Sequence, residues 1–165
     1  MKRKGQNSLE FITIFAIGLS MTLILGSLFF IISKSEKSNL DIDQISRIGN
    51  QILDLSEEVY FRGTGNKVQY KAVFPGNINS LEIMQLNGTL ANYSELRFSI
   101  ISENGNIQNI SFIPKETYVI LNCSTSCNYN SSTETGWFNK SYYSLGPKTL
   151  SIRSIGDQVL IDFIR

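Results

Sequence analysis

Histidine is absent from this chain. That removes imidazole metal ligands, Ser-His-Asp triads and Cys-His dyads together. Cysteine is nearly as scarce: Cys123 and Cys127, in Cys-Ser-Thr-Ser-Cys, are the only two. With no histidine and no second cysteine pair, a tetrahedral zinc site lacks ligands. Three intervening residues, rather than two, also exclude a redox Cys-x-x-Cys. In an oxidising compartment the pair forms a small-loop disulfide, and in a reducing one it stays as free thiols. Charge of one sign is not in excess either, with 15 Lys plus Arg against 14 Asp plus Glu, a net of +1. Nucleic acid is therefore not an expected partner, since it calls for a clustered basic surface. Asp41 with Asp43 and Glu57 with Glu58 fall on a polar helix face, where hydration accounts for them. Gly63-Thr64-Gly65 lacks the lysine motif and βαβ context of a phosphate loop. Nothing places an activated base beside a nucleophile. The expectation is a protein that is not an enzyme and uses no cofactor and no metal.

What the sequence does contain is one long uncharged run. Phe11 to Ile32 carries no ionisable side chain. As a helix it is about 33 Å long at 1.5 Å per residue, enough for a hydrocarbon core of about 30 Å. Thr13, Ser20, Thr22 and Ser27 interrupt its apolar character, but each hydroxyl can return to a backbone carbonyl one turn earlier. Lys2, Arg3 and Lys4 precede the run, and residues of mixed sign follow it: Lys34, Glu36, Lys37, Asp41 and Asp43. The positive flank is expected to stay in the cytoplasm, with everything after about residue 36 outside the cell. A conventional secretory signal is the competing reading. Its apolar region is normally about 7 to 15 residues, ahead of a small-x-small cleavage site. Only Ser33-Lys34-Ser35 offers a weak substitute for that site.

The residues in front of the run add a motif. Gly5-Gln6-Asn7-Ser8-Leu9-Glu10-Phe11 resembles the archaeal class III signal peptide, in which Gln-x-Ser-x-Glu-Phe follows a short basic leader. Gln6, Ser8, Glu10 and Phe11 match its fixed positions. The resemblance covers about the first 35 residues. It implies cleavage between Gly5 and Gln6 by a membrane prepilin peptidase, on the cytoplasmic side. It also implies that the apolar helix is kept, and that subunits leave the lipid bilayer by packing these helices side by side in a type IV pilin-like filament. Glu10 becomes the fifth mature residue. A carboxylate moving into an apolar bundle needs a partner, and the new α-amine of a neighbour's Gln6, with a pKa of about 8, can supply it. A plainer account of the same residues is local: Asn7 caps the helix, and Glu10 completes a capping box in the first turn.

Beyond the run, Ile45, Ile48, Ile52, Leu55 and Val59 recur at helical spacing. They predict an amphipathic helix over about residues 40–61 that packs on a following sheet. Polar residues 33–39 predict a bend or joint, and Gly63-Thr64-Gly65-Asn66 a helix stop. Strands are then expected near 68–74, 81–86, 96–100, 107–113, 118–121, 141–145, 149–155 and 158–164, the last two as a hairpin turning at Gly156-Asp157. The expected fold class is α+β: a long N-terminal transmembrane and amphipathic helix, then an antiparallel β-sheet or sandwich. The expected division is a leader at 1–5, a membrane or filament-core helix at 6–35, an amphipathic helix at 36–63 and an exported β-rich domain at 64–165.

Six Asn-x-Ser/Thr sequons mark Asn87, Asn92, Asn109, Asn122, Asn130 and Asn139 as glycan acceptors if the host modifies exported chains. Asn109 and Asn122 are the poorer ones, because they sit in or beside strands. Residues 122–140 read as a surface loop pinned by Cys123–Cys127. Within it Trp137 and Phe138 either anchor a contact or, the favoured reading, open a strand and pack in the core. The expected role is a structural subunit of a surface filament, polymerising with itself or with other pilin-like chains. The alternative is a non-polymerising, single-pass extracellular binding domain.

Overall fold

The computed structural model describes residues 3–87, 92–102, 105–116, 119–123, 127–130 and 135–164. The chain forms two compact units, Met1–Leu40 and Asp41–Arg165. Helix α1, Arg3–Phe61, is the first element of both. Residues 33–39 are helical, where the sequence had suggested a bend or joint. Ser and Asn there lose only a few tenths of a kcal/mol per residue to better helix formers.

In the second unit the helical stripe is buried. Ile45, Ile52 and Val59 are fully enclosed, Ile48 and Leu53 nearly so, and Leu55 packs against the same core. Burying four such aliphatic side chains contributes roughly 6–12 kcal/mol before entropy is counted. Ser56 is also buried, and its hydroxyl donates back to the Ile52 carbonyl at 2.7 Å. Gly49 stands where the helix comes closest to the sheet. A Cβ at that position would lie 2.4 Å from the Phe112 ring. The helix ends where Gly63 and Gly65 take φ of +88° and +87°, a region open to glycine without a steric penalty. Asn66 Nδ2 closes the end by donating to the Arg62 and Gly63 carbonyls.

Two sheets follow. The first has the order β1 (Lys67–Phe74), β8 (Gly146–Ser154), β9 (Gln158–Ile164), β5 (Ile120–Asn122). The second has the order β4 (Ile107–Phe112), β3 (Asn92–Ile101), β2 (Ile78–Asn87), β7 (Thr135–Phe138), β6 (Cys127–Asn130). The α+β class expected from the sequence is thus what the chain adopts. β8 and β9 form the expected hairpin, with Ser154 opposite Val159 and Gly156 at φ +112°. Alternation puts Leu81, Ile83, Leu96, Phe98 and Ile100 inside. Aromatic rings tie the sheets together: Phe74 to Phe98 at 6.3 Å, and Phe138 edge-on to Phe163 at 5.2 Å. Ser94 of β3, 1% exposed, makes a polar link between the sheets. Its hydroxyl accepts from the Leu121 N–H at 2.8 Å and donates to the Val119 carbonyl at 3.3 Å.

Three expectations are corrected. β5 runs parallel to β9, so the first sheet is mixed rather than antiparallel. A chain that leaves one sheet and joins the far edge of the other is not held to hairpin geometry. Residues 140–143 are a helical turn, α2 (Lys140–Tyr143), rather than a strand, because Asn139 caps it by accepting from the Ser141 N–H. Residues 122–140 are not simply a loop. They contain β6 and β7, paired from Cys127–Phe138 to Asn130–Thr135, and β7 adds to β2.

Candidate functional site: the N-terminal helix and the domain surface

In the first unit, one stretch of α1, Glu10–Ser33, is long and apolar enough to cross a membrane. Every large apolar side chain from Phe11 to Ile32 is 50–74% exposed, on all sides of the helix. A helix apolar all round is made for lipid or for a protein interior, not for water. Its hydroxyls are satisfied within the helix as expected. Ser20 donates to the Ile17 carbonyl at 2.9 Å, Thr22 to Gly18 at 2.8 Å and Ser27 to Ile24 at 2.8 Å. Phe11 and Phe15 stack at 6.5 Å on one side.

Gly5, Gln6, Ser8, Glu10 and Phe11 all lie within α1. Because the helix begins at Arg3, Asn7 is an interior residue, and no acidic residue occupies the first turn. In the unprocessed chain Asn7 is therefore not the first helical residue, and its side chain lies outside the described residues. Glu10 is exposed at the start of the apolar stretch.

Cys123 and Cys127 are joined as a disulfide, with Cα atoms 6.0 Å apart. Cys123 is buried and Cys127 partly so. Trp137 and Phe138 divide the two roles weighed for them. Phe138 is in the core, while Trp137 is 40% exposed on the outer face of its sheet, opposite Glu82 and Asn128. The same face carries a polar cluster the sequence did not signal. Glu95, only 6% exposed, pairs with Arg97 at 2.8 Å and accepts from the Ser111 hydroxyl. Ser99 donates to Asn109 Oδ1 at 2.7 Å.

The sequons differ in what surrounds them. Asn139 is exposed, and its Oδ1 caps α2. Asn109 is exposed on edge strand β4, with its Oδ1 engaged by Ser99. Asn122 is half-buried, donating to Gln158 Oε1 at 3.0 Å and accepting from the Cys123 N–H. Asn87, Asn92 and Asn130 lie on strands. The side chains of Asn87 and Asn92, and the Ser/Thr positions following Asn87, Asn122 and Asn130, lie outside the described residues. Ser94, the hydroxyl residue of the Asn92 sequon, is buried and committed to the link between the sheets.

The helix-face carboxylates are structural. Glu57 accepts from the Lys115 N–H at 2.6 Å, Glu58 pairs with Arg62, and Asp54 lies 3.3 Å from Lys115 Nζ. Among the described residues no group of three or more Cys, Asp or Glu is gathered as a metal site would need. A cleft of about 480 Å³ opens between α2 and the adjoining ends of β8 and β9, with Lys148 and Phe163 among its lining residues. Lys148 Nζ is held by the Ser141 carbonyl and the Ser144 hydroxyl. Burial raises the Tyr143 phenol above its ordinary value of 10.0, and the Glu82 carboxylate adds to this; burial alone raises Tyr70. Comparison with models of known families, with characterised proteins and with solved structures finds no match.

Proposed function

We propose that the chain is a type IV pilin-like structural subunit, anchored in the membrane by residues 10–33 and assembled into a surface filament through the same helix. The observation that carries this reading is the helix surface, apolar on every side and exposed from Phe11 to Ile32. Exposing even ten such side chains to water costs on the order of 15–30 kcal/mol, more than a domain's net stability. The segment therefore needs lipid, and then copies of itself, around it. The match of Gln6, Ser8, Glu10 and Phe11 to the class III pattern supports processing between Gly5 and Gln6 by a prepilin peptidase. In this scheme Glu10 takes the α-amine of a neighbouring Gln6, and that pairing sets the axial register of assembly. The β-rich unit faces the exterior and performs no chemistry of its own. Peptide mapping of membranes and of sheared surface filaments tests the proposal. A chain beginning at Gln6 in filaments is expected. An unprocessed chain confined to membranes favours the non-polymerising anchor.

A further inference from the structure

The filament reading leaves the sequons without a role, and the fold treats them unequally. An N-linked glycan needs two groups of one sequon at once: the Asn carboxamide nitrogen and the hydroxyl two residues later. At Asn92 that hydroxyl belongs to Ser94, which is 1% exposed and joins the two sheets. At Asn122 the carboxamide is half-buried, donates to Gln158 Oε1 and accepts from the Cys123 N–H. The residue between that Asn and its hydroxyl is Cys123, the buried half of the disulfide. Asn109 and Ser111 are exposed, yet both are committed. Asn109 Oδ1 accepts from Ser99, and the Ser111 hydroxyl donates to the Glu95 carboxylate, which is 6% exposed. Both residues are also held in the β3–β4 ladder, opposite Ser99 and Arg97. Freeing that sequon takes a hydrogen bond away from a buried carboxylate.

Asn139-Lys140-Ser141 differs on each count. All three residues are exposed. Asn139 has extended backbone, at φ −68° and ψ 141°. Its Oδ1 accepts from the Ser141 N–H at 3.2 Å and from the Ser141 hydroxyl at 3.4 Å. The two side chains thus engage nothing outside their own sequon. Asn139 Nδ2, the atom that bonds the sugar, has no partner among the described residues. Ser141 also lines the cleft shared with Tyr142, Pro147 and Lys148, so open space adjoins the sequon.

We propose that Asn139 is the sequon glycosylated on the folded domain, by an oligosaccharide transferred from a polyprenyl phosphate carrier. This rests on the reading that the second unit faces the exterior. In the transfer Asn139 Nδ2 bonds C1 of the first sugar, the C1–O bond to the carrier phosphate breaks, and one Nδ2 proton passes to a base of the transferase. Oδ1 is untouched, so the modified residue keeps its bond from the Ser141 N–H.

The test is intact-glycopeptide mass spectrometry of the full chain from its own membranes, beside protease accessibility of the second unit on intact cells. The expected result is an external second unit, a glycan on Asn139, and bare Asn92, Asn109 and Asn122. Ser141→Ala keeps the N–H that donates to Asn139, so it should leave the thermal midpoint unchanged and remove the glycan completely. Ser141→Thr should retain it. An external unit with Asn139 bare overturns the proposal and leaves the topology standing. A glycan on Asn92, Asn109 or Asn122 at the level of Asn139 also overturns it, because transfer then ignores the folded surface. A second unit enclosed within the cell removes the export reading, and the glycan site with it.

Discussion

Ser94→Ala removes one oxygen atom from the only serine hydroxyl that joins β3 to the 119–121 segment of the other sheet among the described residues. Alanine fills nearly the same space, so the effect is polar rather than steric. The Leu121 N–H loses its acceptor at 2.8 Å and the Val119 carbonyl its donor at 3.3 Å, at a side chain 1% exposed. Leaving a buried donor unpaired costs about 1–3 kcal/mol, and a carbonyl that keeps one lone pair unfilled costs less, so the loss should be about 2–4 kcal/mol. For a unit of this size the whole stability is roughly 6–19 kcal/mol. The melting temperature should therefore fall by about 10 °C. Denaturant unfolding of the full chain in lipid nanodiscs measures the loss, and hydrogen exchange at the Leu121 amide localises it. A loss under about 0.5 kcal/mol with the Leu121 amide still protected would refute the link between the sheets.

Gly49→Ala should destabilise the second unit by about 1–2 kcal/mol, since overpacking against Phe112 outweighs the roughly 1 kcal/mol gained in helix propensity. In a Phe112→Ala background the same change should become neutral or stabilising, a coupling that a double-mutant cycle reads directly. Reducing Cys123–Cys127 should lower stability by up to about 2 kcal/mol for so short a loop, seen as a lower thermal midpoint in reductant. The Tyr143 hydroxyl donates to the Asn79 carbonyl, and burial raises its pKa, so the unfolded chain releases that proton first as pH rises. Stability should be level below pH about 10 and fall above it, and Tyr143→Phe should flatten part of that slope in alkaline denaturation followed by tyrosinate absorbance. Glu10→Ala should leave carbonate-resistant membrane insertion unchanged and abolish incorporation into filaments. Normal filaments from that variant would remove Glu10 from the assembly scheme.

Local patterns carried much of the fold. Ile45, Ile48, Ile52 and Val59 recur at helical spacing, and all four are buried. The paired glycines Gly63 and Gly65 end the helix, and β9 occupies 158–164 as its alternation predicts. What the sequence hid depends on distant partners. Trp137 and Phe138 marked a strand, but the pairing of β6 with β7, and of β7 with β2 some fifty residues earlier, has no local signature. The parallel join of β5 to β9 has no local signature. Gly49 reads as an ordinary helix glycine until Phe112 is placed against it. Tyr142 and Tyr143 suggested a strand, yet Asn139 turned them into a capped helical turn. For the candidate site, the apolar run and its returning hydroxyls were legible because both are local to one helix. The Glu95–Arg97 pair was not, since buried Glu95 also takes a hydrogen bond from Ser111 of β4, a distant partner.

Filament assembly in the proposed scheme requires the helix over residues 10–33 to be retained and buried among copies of itself. Mass-spectrometric mapping of the N-terminus in purified surface filaments addresses that most directly. The predicted result is a chain that starts at Gln6 and carries the entire apolar helix. A surface chain that starts after Ser33 would contradict it, because the segment proposed to hold the filament together would have been left behind.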